Sequence, residues 1–180
     1  MPFFSQLTRS IGSAIRSVFS AGKATQTRKP APGKPVTGTD SPGRSGPNRT
    51  VEVDPRKVGA VRMSYSPVRD GNPDPGEIVW TWVPFEENNG QGKDRPVLVV
   101  AAEKSGTLLV VQLTSKKHEG RSDFVSVGAG AWDGQHRESF VNLDRVLRVH
   151  PGGMRREAAA LDRTPFQTVT KQLQSRYGWR

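Results

Sequence analysis

Arg95, Thr114 and Ser115 are the residues of this chain whose types and positions could do chemistry. Arg95, followed by Pro96, closes a long polar loop, Pro84-Phe-Glu-Glu-Asn-Asn-Gly-Gln-Gly-Lys-Asp94, where the chain enters a run of β-branched residues. A guanidinium held at such a strand entry can give paired hydrogen bonds to an anion. Thr114-Ser115-Lys116-Lys117 ends the next apolar run and sets two hydroxyls and two cations at a strand terminus. If the two runs are antiparallel neighbours, the start of one and the end of the other meet in space. Proton acceptors lie nearby in sequence: Glu86 and Glu87 in the loop, and His118, whose imidazole is the side chain that titrates nearest neutrality. Gln91 can orient a hydroxyl but cannot take its proton. The bland alternative is that Arg95 pairs with Asp94 or Glu87 and that Thr114 is an ordinary strand residue.

The elements that must position these residues read as strands. Gly76-Glu-Ile-Val-Trp-Thr-Trp-Val83 alternates, with Ile78, Trp80 and Trp82 on one face. Residues 95–103 form a run buried on both faces, Lys104-Ser-Gly106 fits a tight turn, and residues 107–114 form the returning strand. Shorter strands are expected over 61–65, 124–127, 139–142 and 146–149. Thr164-Pro165 has the chemistry of a helix start, Phe166, Val169, Leu173 and Tyr177 share a face, and Gly178 ends the helix. The sum is a mainly β (α+β) fold, a small bent antiparallel barrel with one C-terminal helix, in which the Trp and Val side chains serve as core. Asp70-Gly-Asn-Pro-Asp-Pro-Gly76 is turn chemistry; it fails as a calcium loop because Pro75 and Thr81 stand where Gly and a bidentate Glu belong.

Composition narrows the function. Only 33% of the residues are hydrophobic, and 19 Gly with 14 Pro leave part of the chain poorly suited to packing. With no Cys, thiolate metal sites and cysteine nucleophiles are excluded, and three scattered His make a zinc site a poor fit, so no metal and no cofactor are expected. No apolar run is long enough to span a membrane and the N-terminus makes a poor secretory signal, so the cytoplasm is the expected compartment. The net charge of +10 favours a polyanionic partner. Much of that excess sits in residues 1–50, which carry eight basic residues and one acidic. Residues 1–20 repeat apolar side chains at helical spacing, an amphipathic helix that could contact a membrane or rest on its own domain. Residues 21–50 are Gly, Pro, Ser and Thr rich and are expected to be a flexible, disordered linker to a domain at 51–180.

In the order and spacing of Gly76-Glu-Ile-Val-Trp80, Gln91-Gly-Lys-Asp-Arg95-Pro96-Val-Leu-Val-Val100, Val111-Gln-Leu-Thr114-Ser115 and Val141-Asn-Leu-Asp144-Arg-Val146, the chain resembles the PemK/MazF family of type II toxin–antitoxin toxins over residues 60–180. The resemblance implies an SH3-like barrel, a homodimer and a cognate antitoxin. It also implies metal-independent cleavage of single-stranded RNA at short sequences, in which the 2′-hydroxyl attacks the adjacent phosphorus and leaves a cyclic phosphate and a 5′-hydroxyl. Arg95 matches the family's catalytic Arg and would stabilise the phosphorane by charge. Thr114 matches the hydroxyl that holds the phosphate, with Ser115 able to share that work. The family pattern is broken at Gly90, where several members carry a Glu that could serve as general base; Glu86, Glu87 and His118 are the substitutes within reach. Lys93, Lys116, Lys117 and Arg121 are candidate RNA contacts. Two other functions fit the same text: a nucleic-acid-binding module without catalysis, and a protein-directed toxin that poisons gyrase from the same barrel.

Overall fold

The computed structural model describes residues 41–68, 70–87 and 89–180, with the backbone alone at 156–158. The amphipathic helix expected over 1–20 and most of the expected linker lie outside the described residues. Seven strands and one helix follow in the order β1 (Val51–Val53), β2 (Glu77–Pro84), β3 (Gly92–Ala102), β4 (Leu108–Thr114), β5 (Phe124–Gly128), β6 (Ser139–Val149), β7 (Met154–Ala160) and α1 (Arg163–Tyr177). All pairings are antiparallel, in the order β1-β6-β4-β3-β2-β7 with β5 added on β6. The mainly β fold with a C-terminal helix is as the sequence reads. The barrel is not closed: the hydrogen-bonded path ends at β1 and β7.

Two apolar clusters lie on the two faces of this sheet, as alternation along each strand requires. One gathers Ile78, Leu98, Val111, Leu113, Val141 and Leu143 beneath Phe166, Val169 and Leu173 of α1. The other is made by strand residues, among them Val79, Val97, Val99, Val110 and Leu147, all fully buried, so the sheet must bend over them. The bend is eased by register shifts in β2, β3 and the β4–β6 pairing. Gly178 closes α1 in the left-handed conformation (φ 70°), as its sequence position suggests, whereas the helix begins one residue before Thr164, with Asp162 as its N-cap.

Three further expectations need correction. Residues 61–65 form no strand: Arg180 N donates to Val61 O (2.9 Å), Met63 N donates to Arg180 O (2.5 Å) and the Tyr65 hydroxyl donates to Leu161 O (2.8 Å), separate contacts rather than a ladder. The strands expected at 139–142 and 146–149 are one strand, β6, interrupted by a bulge rather than a loop. Residues 41–50 are packed rather than linker. Ser41, Gly43 and Thr50 are buried, Thr50 N bonds Gly43 O (2.8 Å), and a 3₁₀ turn spans Gly46–Asn48. Thr81 Oγ1 donates to Gly153 O (2.9 Å), which leaves the Thr50 hydroxyl to donate to Thr81 Oγ1 (3.0 Å). Gly43 is required here, because a Cβ would lie 2.6 Å from Gly153 O.

Candidate active site on the inner face of the sheet

β2 and β3 pair with Thr81 opposite Arg95 and Val83 opposite Lys93. Val83 and Val97 belong to the inner cluster, so Lys93 and Arg95, on the same alternation, take the inner face. Val97 pairs with Gln112 and the β3–β4 ladder ends there. Continuing its register by two residues carries Arg95 toward Thr114, at the point where the strands part. Arg95 and Thr114 thus lie on neighbouring strands, just beyond the end of their ladder. Thr114 Oγ1 meanwhile accepts from Lys116 N (3.1 Å), which folds the strand end back on itself.

Arg95 is half-buried. Among the described residues its Nε is buried without a hydrogen-bond acceptor. Burial holds its pKa below the ordinary guanidinium value, the charge of Arg145 lowers it further, and Glu86 works in the opposite direction. The alternative pairing, with Asp94 or Glu87, is not seen among the described residues. Asp94 projects to the opposite face, where Arg155 Nη2 approaches its Oδ2 at 2.8 Å, off the axis of a hydrogen bond. Glu87 is exposed.

Arg145 is the residue that sequence reasoning missed. The β4–β6 register jumps from Val146 opposite Val111 to Asn142 opposite Gln112, so residues 143–145 are extra on β6. The bulge turns Arg145 inward, where it is 5% exposed. Its guanidinium donates to Glu52 Oε2 (3.0 and 3.2 Å), to Gln112 Oε1 (3.1 Å) and to the Pro84 carbonyl, and Glu86 Oε1 lies 4.0 Å away. A charged residue between two apolar runs reads as loop; only its burial could have revealed it.

Two cations therefore stand close together on one face. Arg145 is saturated by acceptors, while Arg95 keeps an unused donor. An anion entering beside Thr114 would satisfy that donor and separate the two charges. Glu86 is the carboxylate that the structure brings to this pair. The other candidates are placed differently. Gln91 closes the β2–β3 loop through its backbone, accepting from Phe85 N (2.9 Å), and its side chain is exposed. Gly90 has φ 78°, a conformation in which a Glu would be strained. His118 stacks on Phe124 of β5 at 3.8 Å, three strand positions from β3. Arg121 is held by both oxygens of Asp123, Lys117 pairs with Glu119 at 3.2 Å, and Ser115, Lys116 and Lys93 are exposed. Among the described residues no three His, Cys, Asp or Glu side chains form a group that could hold a metal ion, and no helix is long and apolar enough to cross a membrane.

Comparison with known proteins adds the following. Two crystal structures of MazE-MazF from Deinococcus radiodurans are similar to the chain. Form-II is 24% identical, over 59% of this chain and 96% of that one, with a TM-score of 0.44. Form-III is 23% identical, over 60% of this chain and 98% of that one, with a TM-score of 0.42. No curated protein matches. The family model of the PemK-like, MazF-like toxin of type II toxin–antitoxin systems matches residues 74–176. That match takes in β2 to α1 with Arg95, Thr114 and Arg145, and on it the chain belongs to the PemK-like, MazF-like family of type II toxins.

Proposed function

We propose that the protein is the endoribonuclease of a toxin–antitoxin pair, acting in the cytoplasm on single-stranded RNA at short sequences, as a homodimer restrained by a cognate antitoxin. The observation that carries this reading is the half-buried Arg95, whose Nε has no acceptor among the described residues, beside an Arg145 that holds several acceptors, in a chain of this toxin family. In the reaction the 2′-hydroxyl attacks the adjacent phosphorus, the bond to the 5′-oxygen breaks, and the products are a 2′,3′-cyclic phosphate and a 5′-hydroxyl. Arg95 binds the non-bridging oxygens and stabilises the charge of the phosphorane. The Thr114 hydroxyl holds the phosphate from the strand end, with Ser115 beside it. Glu86, within Coulombic reach of both arginines, takes the proton of the 2′-hydroxyl, replacing the glutamate that Gly90 lacks. Water returns a proton to the leaving oxygen. Lys93 and Lys116 attract the RNA backbone; Arg121 and Lys117 contribute less, because each already holds a carboxylate.

The test is incubation of the purified full chain with a single-stranded transcript and analysis of the new ends. Cyclic phosphates that disappear with Arg95→Ala and fall sharply with Glu86→Gln are the expected result. Transcript that is bound but intact would instead favour the non-catalytic module, the reading to which Gly90 lends weight.

A further inference from the structure

Residues 41–50 lie outside the stretch that matches the family, yet they form a wall of a cleft at the end of β2, on the face of Trp82 and Asp94 rather than that of Arg95. The cleft, of about 270 Å³, is lined by Arg44, Arg49 and Thr50 on one side and by Trp82, Pro84 and Gly90 on the other. It is smaller than the usual site of a drug-sized ligand, about 300–1,000 Å³, and half open. No carboxylate lines it. Arg44 lies over the ring of Trp82, 5.1 Å from its centroid, so its guanidinium is held in place by stacking and no described carboxylate neutralises it. Arg49 is exposed. Two contacts join the cleft to the site. The Thr50 hydroxyl bonds that of Thr81, the cross-strand neighbour of Arg95, and the carbonyl of Pro84 accepts from Arg145. Gly90 precedes Arg95 on the same loop and leaves its wall without a side chain.

We propose that residues 41–50 add a nucleotide subsite to the active site, in which Arg44 and Arg49 hold the phosphate of a nucleotide flanking the scissile one in single-stranded RNA. The proposal rests on the endoribonuclease reading for its substrate. A stacked guanidinium, an exposed one and an uncharged floor suit a backbone phosphate without selecting a base, so the subsite should add affinity rather than sequence preference.

The experiment uses the full chain and two RNAs: a fluorescein-labelled, uncleavable 2′-O-methyl pool of random sequence for anisotropy, and an unmodified transcript for cleavage. Arg44→Ala/Arg49→Ala should weaken binding of the pool about tenfold at moderate salt and flatten the slope of log Kd against log salt by about 0.7, the value for one phosphate contact on a single strand. Arg49→Glu, on an exposed side chain, should weaken binding with an unchanged melting temperature. Wild-type Kd and salt slope in the double variant would overturn the subsite while leaving Arg95-dependent cleavage intact. A wild-type protein that binds the pool but leaves the transcript whole would overturn the ribonuclease reading alone, and loss of affinity in the double variant would still support the subsite. A wild-type protein that binds no RNA would overturn both.

Discussion

A side chain kept for a ligand is often one that the fold would be better off without, and Arg95 fits that description. Its Nε is buried without an acceptor among the described residues, and its charge is opposed by Arg145. Each condition costs stability. Arg95→Ala should therefore melt no lower than the wild type while losing cleavage by about a hundredfold or more, the loss seen when one oxyanion-stabilising donor is removed. Arg145 behaves in the opposite way. It satisfies Glu52, Gln112 and the Pro84 carbonyl from a buried position. Arg145→Met leaves Gln112 and Pro84 without their donor, and should cost about 2–3 kcal/mol in denaturant unfolding, toward the low end for a broken buried pair because Glu52 is half exposed. A melting temperature that falls with Arg95→Ala and is unmoved by Arg145→Met would reverse the two roles. Thr114 is legible in the sequence because a Thr-Ser at a strand exit is a local signal; Arg95 reads as a strand entry but lies inside β3, which begins at Gly92. Arg145 is not legible, because its place depends on a bulge and on partners from β1, β4 and the loop after β2.

Elements supply the second scale. Residues 41–50 fall in a stretch whose Gly, Pro and Ser content reads as linker, and β1 just after them has no strand signal of its own. They are ordered by long-range contacts: β1 by pairing with β6, and residues 41–50 by Thr81 and Gly153. Thr50→Val, which keeps the shape and removes the hydroxyl that donates to Thr81, should cost about 1 kcal/mol in unfolding free energy. No loss would show that the wall merely rests on β2. The helix, in contrast, is legible from its apolar spacing, and its docking carries a pH signature. Burial and the Asp144 carboxylate push the Tyr177 hydroxyl from 10.0 to about 12. The folded state therefore holds that proton more tightly than the unfolded chain. Its contribution is complete below pH 10 and is lost as pH rises toward 12. Unfolding measured over this window should show a steeper loss of stability for the wild type than for Tyr177→Phe; equal slopes would place the titration elsewhere.

At the scale of the molecule, the strands from β2 to β4 follow the text closely because their alternation and the Lys104-Ser-Gly106 turn are short-range features. Glu103 N bonds Thr107 O at 2.8 Å around that turn, and Gly106 takes φ 83°. Barrel closure is not a local property, and the sheet stays open between β1 and β7. What the fold achieves is to bring a loop, two strand ends and a bulge to one face. There, Arg95 and Arg145 oppose each other's charge, Glu86 partly offsets that of Arg95, and Thr114 ends the neighbouring strand. That convergence, in a chain of this toxin family, is what supports the proposed RNA cleavage. The most direct measurement is induction of the full chain, beside Arg95→Ala, in a bacterial host, with mapping of RNA 5′-hydroxyl ends across the transcriptome. Growth arrest is expected, with new ends that share a short sequence and vanish in the variant. Arrest with no new ends, or the same ends from Arg95→Ala, would contradict the proposed cleavage.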